Sequence, residues 1–130
     1  MTPRARAFIA EHVESVMQLE LLLLLSADPS RGRTVPELAG EMRVDPGWVE
    51  VQLRSMAARR LLSAEPAGAT AAAAYRFAPQ TDDLRRAVAE VAAAYADRRV
   101  TVISLIFAKP IDSLRSFADA FRIRREPSDG

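Results

Sequence analysis

The first 26 residues show apolar positions at the spacing of a helix. From Arg4 to Ser26 the chain contains no Pro or Gly, and apolar residues recur before five consecutive Leu at 21–25. This pattern predicts one continuous helix over about 4–26, with a buried stripe that becomes buried on all sides at its end. Turn-forming residues at 28–32 predict where the helix stops.

Two shorter helices are predicted from their capping residues. Thr34 lies three positions before Glu37, which is the spacing of a capping box, so a helix is expected over 36–42. Asp45, followed by a proline, repeats this signal and predicts a second helix over about 46–60. The two helices meet across a turn of about three residues, as in a helix-turn-helix.

Two short strands follow, over 61–65 and 75–78, and predict a small hairpin. The alanines at 71–74 allow a helix as an alternative. Pro and Gly residues before them and Pro79 after them leave little room for one, which favours the hairpin.

From Thr81 onward, apolar residues alternate by four and three positions, with Arg98 in the one vacant slot. Such spacing predicts a long helix with a coiled-coil-like seam. The β-branched residues at 100–103 leave a strand open as an alternative there. The seam residues are Leu84, Val88, Val91, Tyr95, Val102 and Leu105.

Pro110 is expected to interrupt this helix, and apolar residues over 111–121 then predict a short terminal helix. Three regions are expected: a domain over 1–80, a helical arm over 81–122, and a polar, flexible tail over 123–130.

The segment TVPELAGEMRVDPGWVEVQLRSMAARRLLSAEP resembles bacterial winged helix-turn-helix regulators of the MarR, PadR and ArsR kind. The resemblance extends over about residues 15–79. It implies a mainly α fold, with a winged helix-turn-helix domain, an N-terminal helix and a long C-terminal helical arm. The inward positions that it implies are all apolar or small here: Leu38, Ala39, Met42, Val44, Val49, Leu53, Met56 and Leu61.

The resemblance also implies a DNA-binding face on the second helix of the motif. The candidate DNA-binding residues are Arg43, Gly47, Trp48, Glu50, Val51, Arg54, Ser55, Arg59 and Arg76. Arg60, Arg31 and Arg33 are further candidates for phosphate contacts. Among the groove-facing positions, Arg54 and Ser55 have side chains that direct base readout favours. The wing loop between Arg60 and Arg76 lacks the cations that would probe a minor groove.

In the regulators that the chain resembles, terminal helices form a homodimer, which implies that the seam is a dimer interface with Arg98 fixing its register. Packing of the seam against the N-terminal Leu-rich helix is the alternative. Trp48 either folds back onto the domain or anchors a protein partner. The expected function is a homodimeric DNA-binding transcriptional regulator. The alternatives are a protein-interaction module that binds no DNA and a structural scaffold subunit.

Composition restricts the remaining possibilities. A length of 130 residues fits one domain, and 49% hydrophobic with 27% charged residues is typical of a globular protein. The net charge of +1 neither requires nor excludes a polyanionic partner. The chain has no Cys, which excludes disulfides and thiolate metal sites and suits the cytoplasm.

Catalytic motifs are absent from the sequence: there is no Gly-rich phosphate loop and no nucleophile elbow. His12 is the single histidine, and helix-capping explains the acidic pair Asp82 and Asp83. No enzyme activity, cofactor or metal site is therefore expected. The leucine run is too short for a span of about 20 residues, so no membrane partner is expected either.

Overall fold

Helices and strands follow one another in the order that the sequence predicts, apart from two helix breaks and one additional strand. A computed structural model of the protein describes residues 1–66 and 73–108. The described elements are α1 (Pro3–His12), α2 (Val16–Ala27), β1 (Arg33–Thr34), α3 (Val35–Met42), α4 (Pro46–Ala58), β2 (Leu62–Pro66), β3 (Ala73–Phe77), α5 (Asp82–Asp97) and α6 (Arg99–Ala108). The predicted terminal helix over 111–121 and tail over 123–130 lie outside the described residues.

The prediction of one continuous N-terminal helix is wrong, because the chain turns a corner between α1 and α2. Ser15 has an extended backbone, and its hydroxyl caps α2 by accepting a hydrogen bond from the N–H of Gln18. The amide of Gln18 is buried; it accepts from the N–H of Glu14 at 2.7 Å and donates to Gln52 of α4 at 3.0 Å. The corner brings the apolar faces of both helices onto one core.

The predicted helix-turn-helix is confirmed almost residue by residue. Thr34 caps α3 by accepting from the N–H of Glu37, and Asp45 caps α4 by accepting from the N–H of Trp48 at 3.0 Å. Between the two helices Arg43 adopts the left-handed backbone conformation, with φ 59°. All eight predicted inward residues lie in or against the core, six of them buried and Met42 and Val44 partly buried.

The predicted hairpin is confirmed, and a third strand joins it. β3 lies between β1 and β2 and pairs antiparallel with both. Leu62 lies opposite Phe77, and Arg33 lies opposite Tyr75. The two residues of β1 are too few to show period-two alternation, so this strand could not be predicted from the sequence.

The predicted long C-terminal helix is wrong at one point, where α5 ends at Asp97 and α6 begins at Arg99. Arg98 has a non-helical backbone between them, and its exposed side chain lies 3.8 Å from the carboxylate of Asp97. Arg98 therefore does not fill a slot in a continuous seam. Residues 100–103 are helical, which rules out the alternative of a strand.

α5 packs along α1 and also contacts α2 and α6. At the N-terminus of α1 the hydroxyl of Thr2 donates to the carboxylate of Glu90, and Arg4 bridges Asp83 at 3.0 Å and Glu90 at 2.9 Å. These hydrogen bonds, first from Thr2 and then from Arg4, lower the pKa of Glu90. The C-terminal helices are thereby joined to the same core as the helix-turn-helix.

Candidate nucleic-acid interface

The outer side of α4 carries the residues that the sequence assigns to the DNA face. Val49, Leu53 and Met56 are buried and attach the inner side of α4 to the core. On the opposite side an exposed stripe runs at the three- and four-residue spacing of a helix. This outer stripe consists of Gly47, Glu50, Val51, Arg54 and Ala58.

Two charges on the outer stripe face each other one helical turn apart. The guanidinium of Arg54 lies 3.7 Å from the carboxylate of Glu50, and both side chains are well exposed, at 74% and 51%. An exposed pair of this kind is worth at most about 1 kcal/mol. The ion pair can therefore open at a small cost in free energy, which leaves both groups able to bind a ligand.

Trp48 and Ser55 lie at the margins of the outer stripe. Both are only partly exposed, and the Trp48 ring packs against the core. The structure thus shows Trp48 folded back onto the domain. Val51, by contrast, is 61% exposed and is the large apolar side chain that α4 presents outward.

Exposed arginines stand at both ends of α4. Arg43 precedes the helix, Arg60 follows it, and both have left-handed backbones, with φ 59° and 66°. Across residues 1–66 and 73–108 neither guanidinium forms an ion pair. Cations in this arrangement are suited to contacting phosphates on either side of a groove.

Arg59 and Arg76 have structural contacts instead. Arg59 donates to the carbonyl oxygens of Glu11, at 3.2 Å, and His12, at 3.5 Å, and lies 3.6 Å from the carboxylate of Glu14. It thereby holds the end of α4 to the corner between α1 and α2. Arg76 lies 2.5 Å from the carboxylate of Glu65 on the neighbouring strand.

The two arginines before α3 are also engaged. Arg31 lies 3.3 Å from the carboxylate of Glu37, while Arg33, whose side chain is only 7% exposed, contacts both Glu37 and Glu41. The interpretation of Arg33 as a phosphate contact is wrong, because its guanidinium is buried against α3. Its carboxylate partners are one helical turn apart, on the face of α3 that meets β1.

The seam residues are divided between the core and the surface. Three of them, Val88, Val91 and Val102, are buried among the chain's own helices. This agrees in part with the alternative that the seam packs against the N-terminal helices. Leu84, Tyr95 and Leu105 are partly exposed, and the Tyr95 hydroxyl donates to Glu20 of α2 at 2.6 Å. Burial and then this hydrogen bond raise the pKa of Tyr95.

Two exposed apolar residues on α6 are not among the site residues predicted from the sequence. Val100 and Phe107 are each 77% exposed. They lie seven positions apart, which places them on one side of the helix, with the partly exposed Ile103 between them. The seven-residue spacing of Val100 and Phe107 is visible in the sequence, but the predicted seam included Val102 and Leu105 of this segment instead.

Within the described residues no group of three or more His, Asp or Glu side chains is placed to hold a metal ion. A helix long and apolar enough to cross a membrane is likewise not found among residues 1–66 and 73–108.

Comparison with known proteins shows the fold of this chain. Neither a protein-family model nor a curated protein sequence matches it. Among solved structures it is similar to MepR, a transcription regulator of the Staphylococcus aureus multidrug efflux pump MepA, with a TM-score of 0.54 and 15% identity over 97% of this chain and 90% of that chain. It is also similar to a mutant of ZitR from Lactococcus lactis, with a TM-score of 0.51 and 16% identity over 90% of this chain and 77% of that chain.

A third similar structure is a MarR family protein from Bacillus stearothermophilus, with a TM-score of 0.50 and 15% identity over 98% of this chain and 84% of that chain. The fold is therefore the mainly helical winged helix-turn-helix of MarR regulators. The MarR part of the predicted resemblance is supported, whereas nothing in these structures singles out PadR or ArsR regulators.

Proposed function

We propose that the protein is a DNA-binding transcriptional regulator that inserts α4 into the major groove. The observation that carries the proposal is the outer stripe of α4, which lies opposite the buried face and has the exposed Arg43 and Arg60 at its two ends. A helix of 13 residues is about 20 Å long, and the major groove, about 12 Å wide, admits one. The two end arginines would then contact phosphates on either side.

The similarity of this fold to that of MepR, which is a transcription regulator, supports a regulatory function over catalysis. The proposal requires no cofactor and no metal, and it places the protein with the chromosome in the bacterial cytoplasm. Of the predicted DNA-binding residues, Gly47, Glu50, Val51 and Arg54 form the groove-facing surface. Trp48, Arg59 and Arg76 support it, since their contacts fix α4 and the hairpin, and Ser55 lies at the margin of the outer stripe.

We propose further that the protein acts as a homodimer through its C-terminal helices. Exposed apolar side chains such as Val100 and Phe107 are costly to leave in water, and a second copy of α6 would cover them. Leu84 and Tyr95 would extend the interface along α5, above the buried Val88 and Val91, whereas Leu105 lies on the opposite side of α6 from Val100 and Phe107 and packs against the core. A two-fold dimer can present two copies of α4 to major grooves about 34 Å apart.

The salt dependence of binding tests the DNA proposal. On a nonspecific duplex, where Arg54 has no preferred guanine to bind, Arg43, Arg54 and Arg60 of both protomers can neutralise phosphates, and the slope of log affinity against log salt concentration is then about −5, by the counterion-release relation. We expect this slope for a fluorescent nonspecific duplex titrated by anisotropy. Arg54→Glu should weaken binding at least tenfold and make the slope shallower.

Arg85→Glu is the matched control, because it makes the same charge change on exposed α5. It should leave the affinity within about twofold, since nonspecific binding depends on local phosphate contacts. Equal loss in both variants would show that the effect follows net charge and not α4. No binding by the unaltered protein at low salt would contradict the proposal and favour the protein-interaction module, with Val51 as its exposed contact.

A further inference from the structure

The outer stripe of α4 offers three different kinds of base contact side by side. Glu50 presents an acceptor, Arg54 presents donors one turn later, and Val51 presents methyl groups between them. We propose that this trio reads a defined step: Glu50 accepts from a cytosine amino group, Arg54 donates to a nearby guanine, and Val51 contacts a thymine methyl. This inference rests on the proposed function and deepens it by assigning base preferences.

The carboxylate of Glu50 is the informative group, because DNA repels an uncompensated negative charge. In the major groove the amino groups of cytosine and adenine are the hydrogen-bond donors. Adenine carries the N7 acceptor beside its amino group, which would repel a second carboxylate oxygen, whereas cytosine does not. A glutamate at the centre of a recognition surface therefore favours cytosine.

Arg54 reduces the repulsion between the Glu50 carboxylate and the DNA phosphates. Its guanidinium lies 3.7 Å from the carboxylate, so the local charge at the groove is close to zero before DNA arrives. Both side chains are exposed, and the pair can open without a large desolvation cost. Arg54 can then bind O6 and N7 of a guanine, the commonest specific contact, while Glu50 takes the cytosine.

The reach of the helix limits where these bases lie. Four helical residues advance about 6 Å, and base pairs are about 3.4 Å apart, so Glu50 and Arg54 reach positions within about two base pairs of each other. Val51 follows Glu50 directly and is 61% exposed, which leaves its methyl groups free to meet a thymine methyl. The expected half-site is a cytosine and a guanine close together, next to a thymine.

Selection of bound duplexes from a randomised library tests the assignment. The unaltered protein should enrich cytosine at one position, and Glu50→Gln should move that preference to adenine, because an amide pairs with the adenine amino group and N7. The expected change in the cytosine-to-adenine ratio is at least about tenfold. Asp97→Asn, an equal charge change on the exposed end of α5, should leave the selected sequence unchanged.

The outcomes separate this inference from the proposed function. Salt-sensitive binding with no sequence enrichment, or an unchanged preference in Glu50→Gln, would overturn the base assignment and leave DNA binding intact. Failure of the unaltered, folded protein to bind any duplex at low salt would overturn both. Circular dichroism of Glu50→Gln checks that α4 remains folded. Because Glu50 is exposed, the substitution should not unfold the helix, and a changed base preference would then reflect the altered side chain.

Discussion

Replacing both Glu37 and Glu41 by Gln should lower the free energy of unfolding by about 3 kcal/mol, the low end of the cost of removing the partner of a buried charge. The Arg33 side chain is 7% exposed, and these two carboxylates are its ion-pair partners among the described residues. The double change would leave a buried guanidinium with only neutral amide oxygens. Urea unfolding at pH 7 measures the loss.

Arg33→Met is the contrasting variant. It removes the buried charge together with the need for partners, and a flexible apolar chain of similar length can fill the space, so stability should change by no more than about 1 kcal/mol. A large loss in Arg33→Met with little loss in the double Gln variant would show that Arg33 acts by packing and not by charge.

The same cluster gives the stability a pH dependence with a definite sign. Burial acts to raise the pKa of Glu37, but hydrogen bonds from the Thr34 backbone and Arg33, with the charge of Arg31, lower it below its ordinary value of 4.5. Because the pKa of Glu37 is lowered in the folded protein, its ionised carboxylate contributes to the free energy of unfolding above pH 4.5. This contribution is lost as the pH falls below 4.5. The double Gln variant should lose less stability than the unaltered protein over that acid range.

Phe107→Asp should weaken the proposed homodimer strongly. Burying a Phe side chain is worth about 1.5–3 kcal/mol, and a two-fold interface contains the residue twice, so the loss is about 3–6 kcal/mol or 10²- to 10⁴-fold in dissociation constant. Sedimentation of the unaltered protein at micromolar concentration should give twice the chain mass of 14.3 kDa. The variant should sediment as a monomer.

Val51→Asp is the control for Phe107→Asp, since it places the same charge on an apolar residue of α4 that is 61% exposed. It should leave the dimer intact and impair DNA binding instead. A monomeric unaltered protein would contradict the dimer. Equal dissociation by both variants would place the interface on the helix-turn-helix and not on α6.

Local chemistry explains why the helix-turn-helix could be read from the sequence. Thr34 and Asp45 cap their helices through contacts three residues away, and the inward residues follow helical spacing. The break at Ser15 carried a comparable signal, since Gln18 stands three positions after Ser15 at the spacing of a capping box, but the continuous apolar pattern masked it. The break at Arg98 had no such signal, because the spacing of apolar residues continues across it.

The candidate site was predictable in part because the chain resembles winged helix-turn-helix regulators. That resemblance placed Glu50, Val51 and Arg54 on the outer side of α4, where the structure has them. The partners of Arg33 and Arg59 could not be predicted, because their carboxylates and carbonyls reach them only through tertiary packing. Whether an arginine is free for phosphate or occupied within the protein is decided by contacts between elements, which spacing along the chain does not contain.

Chemical-shift mapping by NMR tests the central claim most directly, since it locates the DNA-binding surface residue by residue. On addition of a short duplex at low salt, backbone amides of Arg43, Gly47, Val51 and Arg54 should shift, while those of the exposed side of α5 should stay within error. Shifts confined to α5 and α6, or none at all, would contradict the account.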